Sequence, residues 1–384
     1  MEGVLLMVNL SKEEIQLCIE LRHLLHKNPE LSGEERTTIN ILKDFIKQHT
    51  SFRIVEREGY FYAVCDNGKD LPGIAVRGDI DALPIEESLD LDYCSVNKGI
   101  SHKCGHDGHA TIICALAFMV EKNKINNKNI YLLFQPAEET GKGAKLIVDD
   151  GFLEKNRIEE IYSFHNIPKH EKGSILIKKD VFACASKGMI ISLKGKPSHA
   201  AYPEYGINPS NAAADIIKFI NEVPKMGGYN GMVLCTIINV SIGERAFGTS
   251  AGFGEIMMTI RAENEDELNR VEDSIRNYTD KVSKREGLAY TISFCDEFPE
   301  TRNHSEAIKK FRKIVEDNKY KAEELDVPFR WSEDFGQYLK VTSGAMFGIG
   351  SGPEHPQLHT NEYDFPDDII ETACKFLYQV ILLP

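Results

Sequence analysis

The sequence predicts an α/β chain in two parts: a mostly parallel mixed sheet covered by helices, and a smaller α+β unit of different texture. Up to about residue 177, short apolar runs alternate with amphipathic stretches, the pattern that builds a parallel sheet covered on both faces. Several of these runs end in carboxylates or histidines, and ligands of open α/β sheets collect at the carboxyl ends of strands. The 384 residues are also too many for one ordinary core, which favours two domains.

The opening Met1-Glu2-Gly3-Val4-Leu5-Leu6-Met7-Val8 holds an apolar run too short for a signal core and lacks a positive flank. Residues 14–25 and 34–46 read as amphipathic helices separated by the turn Asn28-Pro29-Glu30-Leu31-Ser32-Gly33. A buried strand then ends in Arg77-Gly78-Asp79-Ile80-Asp81, with both aspartates on one face. They could ligate metal directly, or accept a ring N–H from a ligating histidine and fix its tautomer.

The segment His102-Lys103-Cys104-Gly105-His106-Asp107-Gly108-His109 packs three histidines, a cysteine and an aspartate into eight residues. That density of metal-capable side chains reads as a metal site, with Cys104 and His106 close enough to share one ion or a pair. Residues 110–120 read as a buried helix, and its positive N-terminal end favours a thiolate at Cys104. Residues 130–134 form an apolar strand leading to Gln135-Pro136-Ala137-Glu138-Glu139. Neighbouring carboxylates there point in different directions, so one can bind metal while the other serves as general base to a water. His165 follows the strand-like run 161–164, and His359 follows the glycine-rich stretch 348–353; both are expected where strands give way to loops.

Residues 181–294 change texture. Residues 189–193, 255–260 and 288–294 read as strands, and 210–223 and 265–286 as helices, an order that suits a small α+β unit. The formal net charge of −14, from 45 basic and 59 acidic residues, leaves no basic stripe for nucleic acid. No run approaches the ~20 apolar residues of a spanning helix. Nine cysteines without a pairing pattern fit reduced thiols in the cytoplasm.

In order along the chain, Gly78-Asp79-Ile80-Asp81-Ala82-Leu83-Pro84-Ile85-Glu86-Glu87, the His102 to His109 octapeptide, Phe134-Gln135-Pro136-Ala137-Glu138-Glu139, Ser198-His199-Ala200-Ala201-Tyr202-Pro203, Ser332-Glu333-Asp334-Phe335 and Leu358-His359-Thr360 resemble the M20 metallo-amidohydrolases. The likeness covers nearly the whole chain and points to the subgroup of hippurate hydrolases, auxin-amide hydrolases and N-acetyl-diaminopimelate deacetylases. It implies a discontinuous catalytic domain, residues 1–180 and 295–384, around an inserted ferredoxin-like dimerisation or lid domain, residues 181–294. It further implies that Cys104, His106, Glu139, His165 and His359 hold two divalent ions, with Cys104 bridging or near both. Glu138 would be the general base and Asp81 a support behind the ligands.

By the same resemblance His199 would reach a metal centre, commonly that of the partner subunit, and stabilise the oxyanion, worth about 3 kcal/mol of barrier in comparable sites. Arg261 would grip a substrate carboxylate through its guanidinium fork. The sequence departs from the family at Ile242-Gly243-Glu244-Arg245-Ala246-Phe247-Gly248-Thr249-Ser250-Ala251, where Gly248 replaces an expected asparagine and implies altered substrate recognition.

The expected chemistry is hydrolysis of an N-acyl amino acid by metal-activated water in a homodimer or higher homo-oligomer, with a dipeptidase as the alternative. One thiolate and three imidazoles favour Zn²⁺, Mn²⁺ is common among relatives, and Co²⁺ or Ni²⁺ are further options. A cysteine hydrolase built on Cys104 would leave Glu138, Glu139, His165 and His359 without work. A non-enzymatic scaffold would have no use for the retained ligands.

Overall fold

The computed structural model describes residues 9–123 and 125–383, so the expectation for Met1 to Val8 lies outside the described residues. The chain separates into two compact units. One comprises the residues up to Phe182, Arg302–Val327 and those from Asp334 onward; the other comprises Ala183–Thr301 with Pro328–Glu333.

The first unit is built on an eight-stranded sheet, in the order Arg53–Arg57, Tyr60–Cys65, Asn129–Gln135, Gly73–Asp79, Ile158–Pro168, Ser343–Gly352, Ile175–Ile177, Ala322–Glu324. Its four central strands run parallel, so their carboxyl ends share one edge, while Tyr60–Cys65 joins them antiparallel and makes the sheet mixed. All seven residues of Gly73–Asp79 and of Asn129–Gln135 are buried, as strands covered on both faces must be. The helix His106–Lys122 buries every residue from His106 to Val120 and forms one core with Leu21, Leu25, Phe376 and Leu377 from the terminal helices Lys12–Lys27 and Ile370–Leu382. Its largely apolar run from Ala110 to Val120 is what a helix enclosed by other helices requires.

The second unit is a four-stranded antiparallel sheet in the order Val233–Ile242, Phe253–Ala262, Ala185–Lys194, Ala289–Phe298. With Ser210–Glu222 and Glu265–Glu286 as crossover helices, the chain order βαββαβ and this strand order give a ferredoxin-like arrangement. Ile216, Ile220, Val271 and Ile275 from the helices meet Ile191 and Ile256 from the sheet. The strand Val233–Ile242 escaped the sequence pattern for a physical reason. It is an edge strand, and a register shift between Ile237 and Asn239 breaks the period-two alternation that would mark it. Among the described residues no helix is long and apolar enough to cross a membrane.

Candidate metal centre

The carboxyl edge of the central strands gathers the metal-capable side chains of the first unit. Asp79 closes its strand, and Gln135 closes the next and hands on to Glu138 and Glu139. Gly105 caps the helix that carries His106 and His109, at φ +93°; a Cβ there would fall 2.6 Å from Asn166 Oδ1 and 2.8 Å from the Tyr363 hydroxyl. Only glycine lets the chain turn into the helix at that point. Two of the presenting loops hold non-glycine residues in the left-handed region, Ala137 (φ 53°) before the two glutamates and His359 (φ 60°) itself. His359 is held there by its backbone N–H donating to the Lys103 carbonyl at 2.8 Å. Such strain persists where surrounding structure fixes it, most often at functional sites.

His165 corrects an expectation. It lies inside a strand that runs to Pro168, because Ser343–Gly352 continues to pair with it and places Gly348 opposite His165. The register of Val76 with Tyr162 nevertheless sets His165 level with Asp79, so the side chain still reaches the carboxyl edge.

The ligand-capable atoms of Cys104, His106 and His165 lie within 4.8 Å of one another, as do those of Cys104, Glu139 and His359, and those of His106, Glu138 and Glu139. Cys104 Sγ is 3.5 Å from His165 Nε2 and 3.4 Å from His359 Nε2. His359 Nε2 is 3.5 Å, and His106 Nε2 3.8 Å, from Glu139 Oε1. Two ligands tetrahedrally disposed about one ion, with bonds of 2.0 to 2.3 Å, stand roughly 3.3–3.8 Å apart. The two N···O separations are long for N–H···O hydrogen bonds, and all four are suited to sharing a cation. His106 Nε2 and Glu139 Oε1 are buried without any hydrogen-bond partner, which a bound ion would supply.

The electrostatics agree. Burial pushes the Cys104 thiol well up, and the carboxylates of Glu139, Glu138 and Asp79 push it further. A bound cation would offset the surrounding negative charge and favour the thiolate. Burial draws the His106 imidazolium down, but Asp79, Asp81 and Glu139 outweigh it and hold it at about 10, a proton standing where a cation would. His165 is driven well below its ordinary value by burial and by His109 and His106 nearby. A neutral imidazole is the form that ligates.

Behind the cluster, Asp81 Oδ1 lies 3.2 Å from His106 Nδ1, and Asp81 Oδ2 accepts from Ser32 Oγ at 2.7 Å and from the Glu139 N–H at 3.0 Å. One buried carboxylate thus orients a candidate ligand from the helix and another from the loop. Burial would raise Asp81, yet the bonds from His106, Ser32 and Glu139 hold it low. Sequence reasoning left His109 and Asn166 without roles. His109 Nδ1 meets Asp79 Oδ1 at 2.6 Å, its Nε2 meets Asn166 Oδ1, and Asn166 Nδ2 donates to Tyr363 at 2.6 Å. His109 is one helical turn from His106, with the rings 5.4 Å apart, and that i, i+3 spacing was the available signal.

In the second unit, His199 is exposed on a short strand opposite Thr249. Its Nδ1 accepts the Ala201 N–H at 3.0 Å, so a neutral ring carries its proton on Nε2 as a donor. Gly248 lies beside this strand and accepts the Ala200 N–H through its carbonyl at 2.9 Å. Arg261, inside the strand Phe253–Ala262, donates through Nη1 to Ser332 Oγ at 2.9 Å and to the Arg330 carbonyl at 3.3 Å.

A sheet with histidine, cysteine and carboxylate ligands clustered at its carboxyl edge defines a candidate metallohydrolase. The chain belongs to peptidase family M20/M25/M40, whose model matches residues 75–383. It is 31% identical to the N-acetyl-L-cysteine deacetylase of Bacillus subtilis, over 97% of this chain and 89% of that protein. It is 30% identical to the N-acetyldiaminopimelate deacetylase of Exiguobacterium sibiricum, over 92% and 96%. Among solved structures, a dinuclear metal binding peptidase of the M20 family from Bacillus subtilis superposes with a TM-score of 0.82 at 23% identity, covering 96% of this chain and 98% of that one, and shares its fold.

Proposed function

We propose that this protein hydrolyses the amide bond of N-acyl amino acids, using water activated by two divalent ions held by Cys104, His106, Glu139, His165 and His359. The observation that carries this reading is the set of 3.4–3.8 Å separations among those ligand atoms, with His106 Nε2 and Glu139 Oε1 buried and unpartnered. Cys104 belongs to two of the clustered trios, so its thiolate would serve as a ligand in either. The deacetylase relatives supply the substrate class.

Divalent ions held there, Mn²⁺ or Zn²⁺ in this reading, would acidify a water toward neutral pH and polarise the scissile carbonyl. Glu138 would take a proton from the attacking water and return one to the departing amine. Its Oε1 accepts the Asp334 backbone N–H at 3.3 Å, which fixes the carboxylate's aim. Asp81 keeps His106 and Glu139 in register. His199, with its proton on Nε2, is a donor for the developing oxyanion, and Arg261 offers a fork to the substrate carboxylate. The reading includes a homodimer, supported by the exposed edge strand that carries Ile238 and Val240, and a cytoplasmic setting that keeps the cysteines reduced.

The experiment is to strip the protein with a chelator, restore Mn²⁺, Zn²⁺ or Co²⁺, and compete N-acyl amino acids against dipeptides. Metal is expected to restore turnover, with the N-acyl amino acids favoured. Glu138→Gln should retain both ions and lose roughly 10²–10⁴-fold in kcat. Activity that survives either chelation or this substitution overturns the reading, and faster cleavage of dipeptides reassigns the substrate.

A further inference from the structure

Within the motif Ser332-Glu333-Asp334-Phe335, the side chain of Asp334 has no part in the chemistry so far, yet it is wholly buried. Its Oδ1 accepts from Arg77 Nη2 and Gln135 Nε2, both at 2.9 Å. Its Oδ2 accepts from Gln135 Nε2 and from the Ala144 N–H, again at 2.9 Å. Arg77, equally buried, spends Nε on Gln135 Oε1 at 2.8 Å and Nη1 on Asp79 Oδ2 at 2.7 Å, and Tyr338 donates its hydroxyl to Gln135 Oε1 at 2.9 Å. The backbone N–H of Asp334 is the one that reaches Glu138.

Asp334 therefore ties together two parallel strands and the first turn of the helix Gly143–Asp149 through its carboxylate, and reaches the loop bearing Glu138 through its backbone N–H. The loop and helix approach so closely that a Cβ on Gly143 would lie 1.7 Å from the Pro136 carbonyl oxygen, so the loop has one place to sit. Through Arg77 the same network grips Asp79, which holds His109 and stands 3.6 Å from His106 Nε2. A buried guanidinium between two buried carboxylates is a poor way to gain stability, since apolar residues of equal volume commonly do as well or better. Its geometric yield is different. One rigid fork sets the position of Asp79, on the metal side, against that of Asp334, whose backbone N–H reaches Glu138.

We propose that Asp334 is a positioning residue for the reaction, fixing Glu138 relative to the Asp79-supported side of the metal centre through the Arg77–Gln135 network. The inference rests on the reading of Glu138 as general base. Asp334→Asn turns an amide N–H toward donors that need acceptors, so the backbone N–H that reaches Glu138 is displaced while the ligands stay in place. In the metal-loaded holoenzyme, kcat is expected to fall about 10–100-fold, the scale of an ångström misplacement of a reacting group. KM should stay within about twofold and two ions should remain bound, a split that a merely structural role does not produce.

Tyr338→Phe removes one hydroxyl from the outer end of the network and leaves its charges intact, so it decides the matter if Asp334→Asn does not fold. A fall of about threefold in kcat with unchanged KM and metal content is expected, and an unchanged kcat overturns the proposal. A folded, fully loaded Asp334→Asn enzyme with kcat within about twofold of the parent also overturns it. If Glu138→Gln is inactive in that case, only the role of Asp334 fails; if Glu138→Gln is active, the reading of the base fails first.

Discussion

Two charged clusters flank the first turn of the helix His106–Lys122, both containing histidine and carboxylate, yet opposite in how they use their polar atoms. On one side lie Cys104, His106, Glu139, His165 and His359, with His106 Nε2 and Glu139 Oε1 left unpartnered. On the other, His26 spans Asp107 Oδ2 at 2.8 Å and Glu87 Oε1 at 2.9 Å, and Lys103 binds Glu87 and the Tyr363 carbonyl. There Arg22 holds Asp364 at 2.8 Å and Asp367 at 2.7 Å. Every ring nitrogen and ammonium named in that second group has an internal partner. Histidine and carboxylate content therefore does not mark the metal centre; unspent hydrogen-bonding capacity at ion-sharing distance does.

The strongest way to break this contrast is to remove a shared ligand. Cys104→Ala deletes the atom common to two trios, and it should cost at least one bound ion per chain together with more than ~100-fold in turnover, above the 10–100-fold typical of residues behind the ligands. Metal analysis and kinetics on one preparation decide it. A variant that binds two ions and turns over normally would show that the cluster's geometry is incidental.

Asp81→Asn tests the next level. The amide keeps the size of the side chain but weakens what His106 Nδ1 and the Glu139 N–H find at this position. Metal affinity should fall about 10–100-fold, with activity recovered at high metal concentration. Titration of the stripped protein measures the shift, and affinity equal to the parent's would dissociate Asp81 from the site.

The octapeptide made the metal chemistry legible in the sequence but did not show how its members divide. His106 and Asp107 are neighbours in sequence, and on a helix they point about 100° apart, so one turns to the metal-capable group and the other to His26. Lys103 likewise turns away from Cys104. No local pattern reveals that split, because it depends on which helix packs on each side. The role of Asp334 was hidden for a related reason: its partners Gln135 and Arg77 lie 199 and 257 residues away, and no periodicity records contacts over that separation. The parallel strands, by contrast, were legible because burial on both faces imposes an unbroken apolar run. The edge strand Val233–Ile242 was not, because its bulge breaks the alternation.

The smallest expected effect on catalysis comes from the saturated cluster, where a substitution should be felt in stability alone. Burial would lower the His26 imidazolium, but hydrogen bonds to Asp107 and Glu87 outweigh it and raise the group from 6.5 to about 9. Burial would likewise raise Glu87, yet its bonds to His26 and Lys103 draw it down to about 2; the His26–Glu87 contact enters both shifts and is counted once. Because the folded value of His26 lies above the unfolded one, its contribution is fully present below pH 6.5 and is lost as pH rises through 9. The shift corresponds to at most about 3 kcal/mol. His26→Gln should therefore destabilise the fold by up to that amount near pH 6, by progressively less toward pH 9, and leave turnover of the folded, metal-loaded enzyme within about twofold. Denaturant unfolding of parent and variant across this range isolates the histidine, since other titrating groups cancel in the difference. A penalty that stays constant with pH would mean that packing rather than charge is what His26 contributes. Loss of bound metal in the variant would mean that the two clusters are not independent.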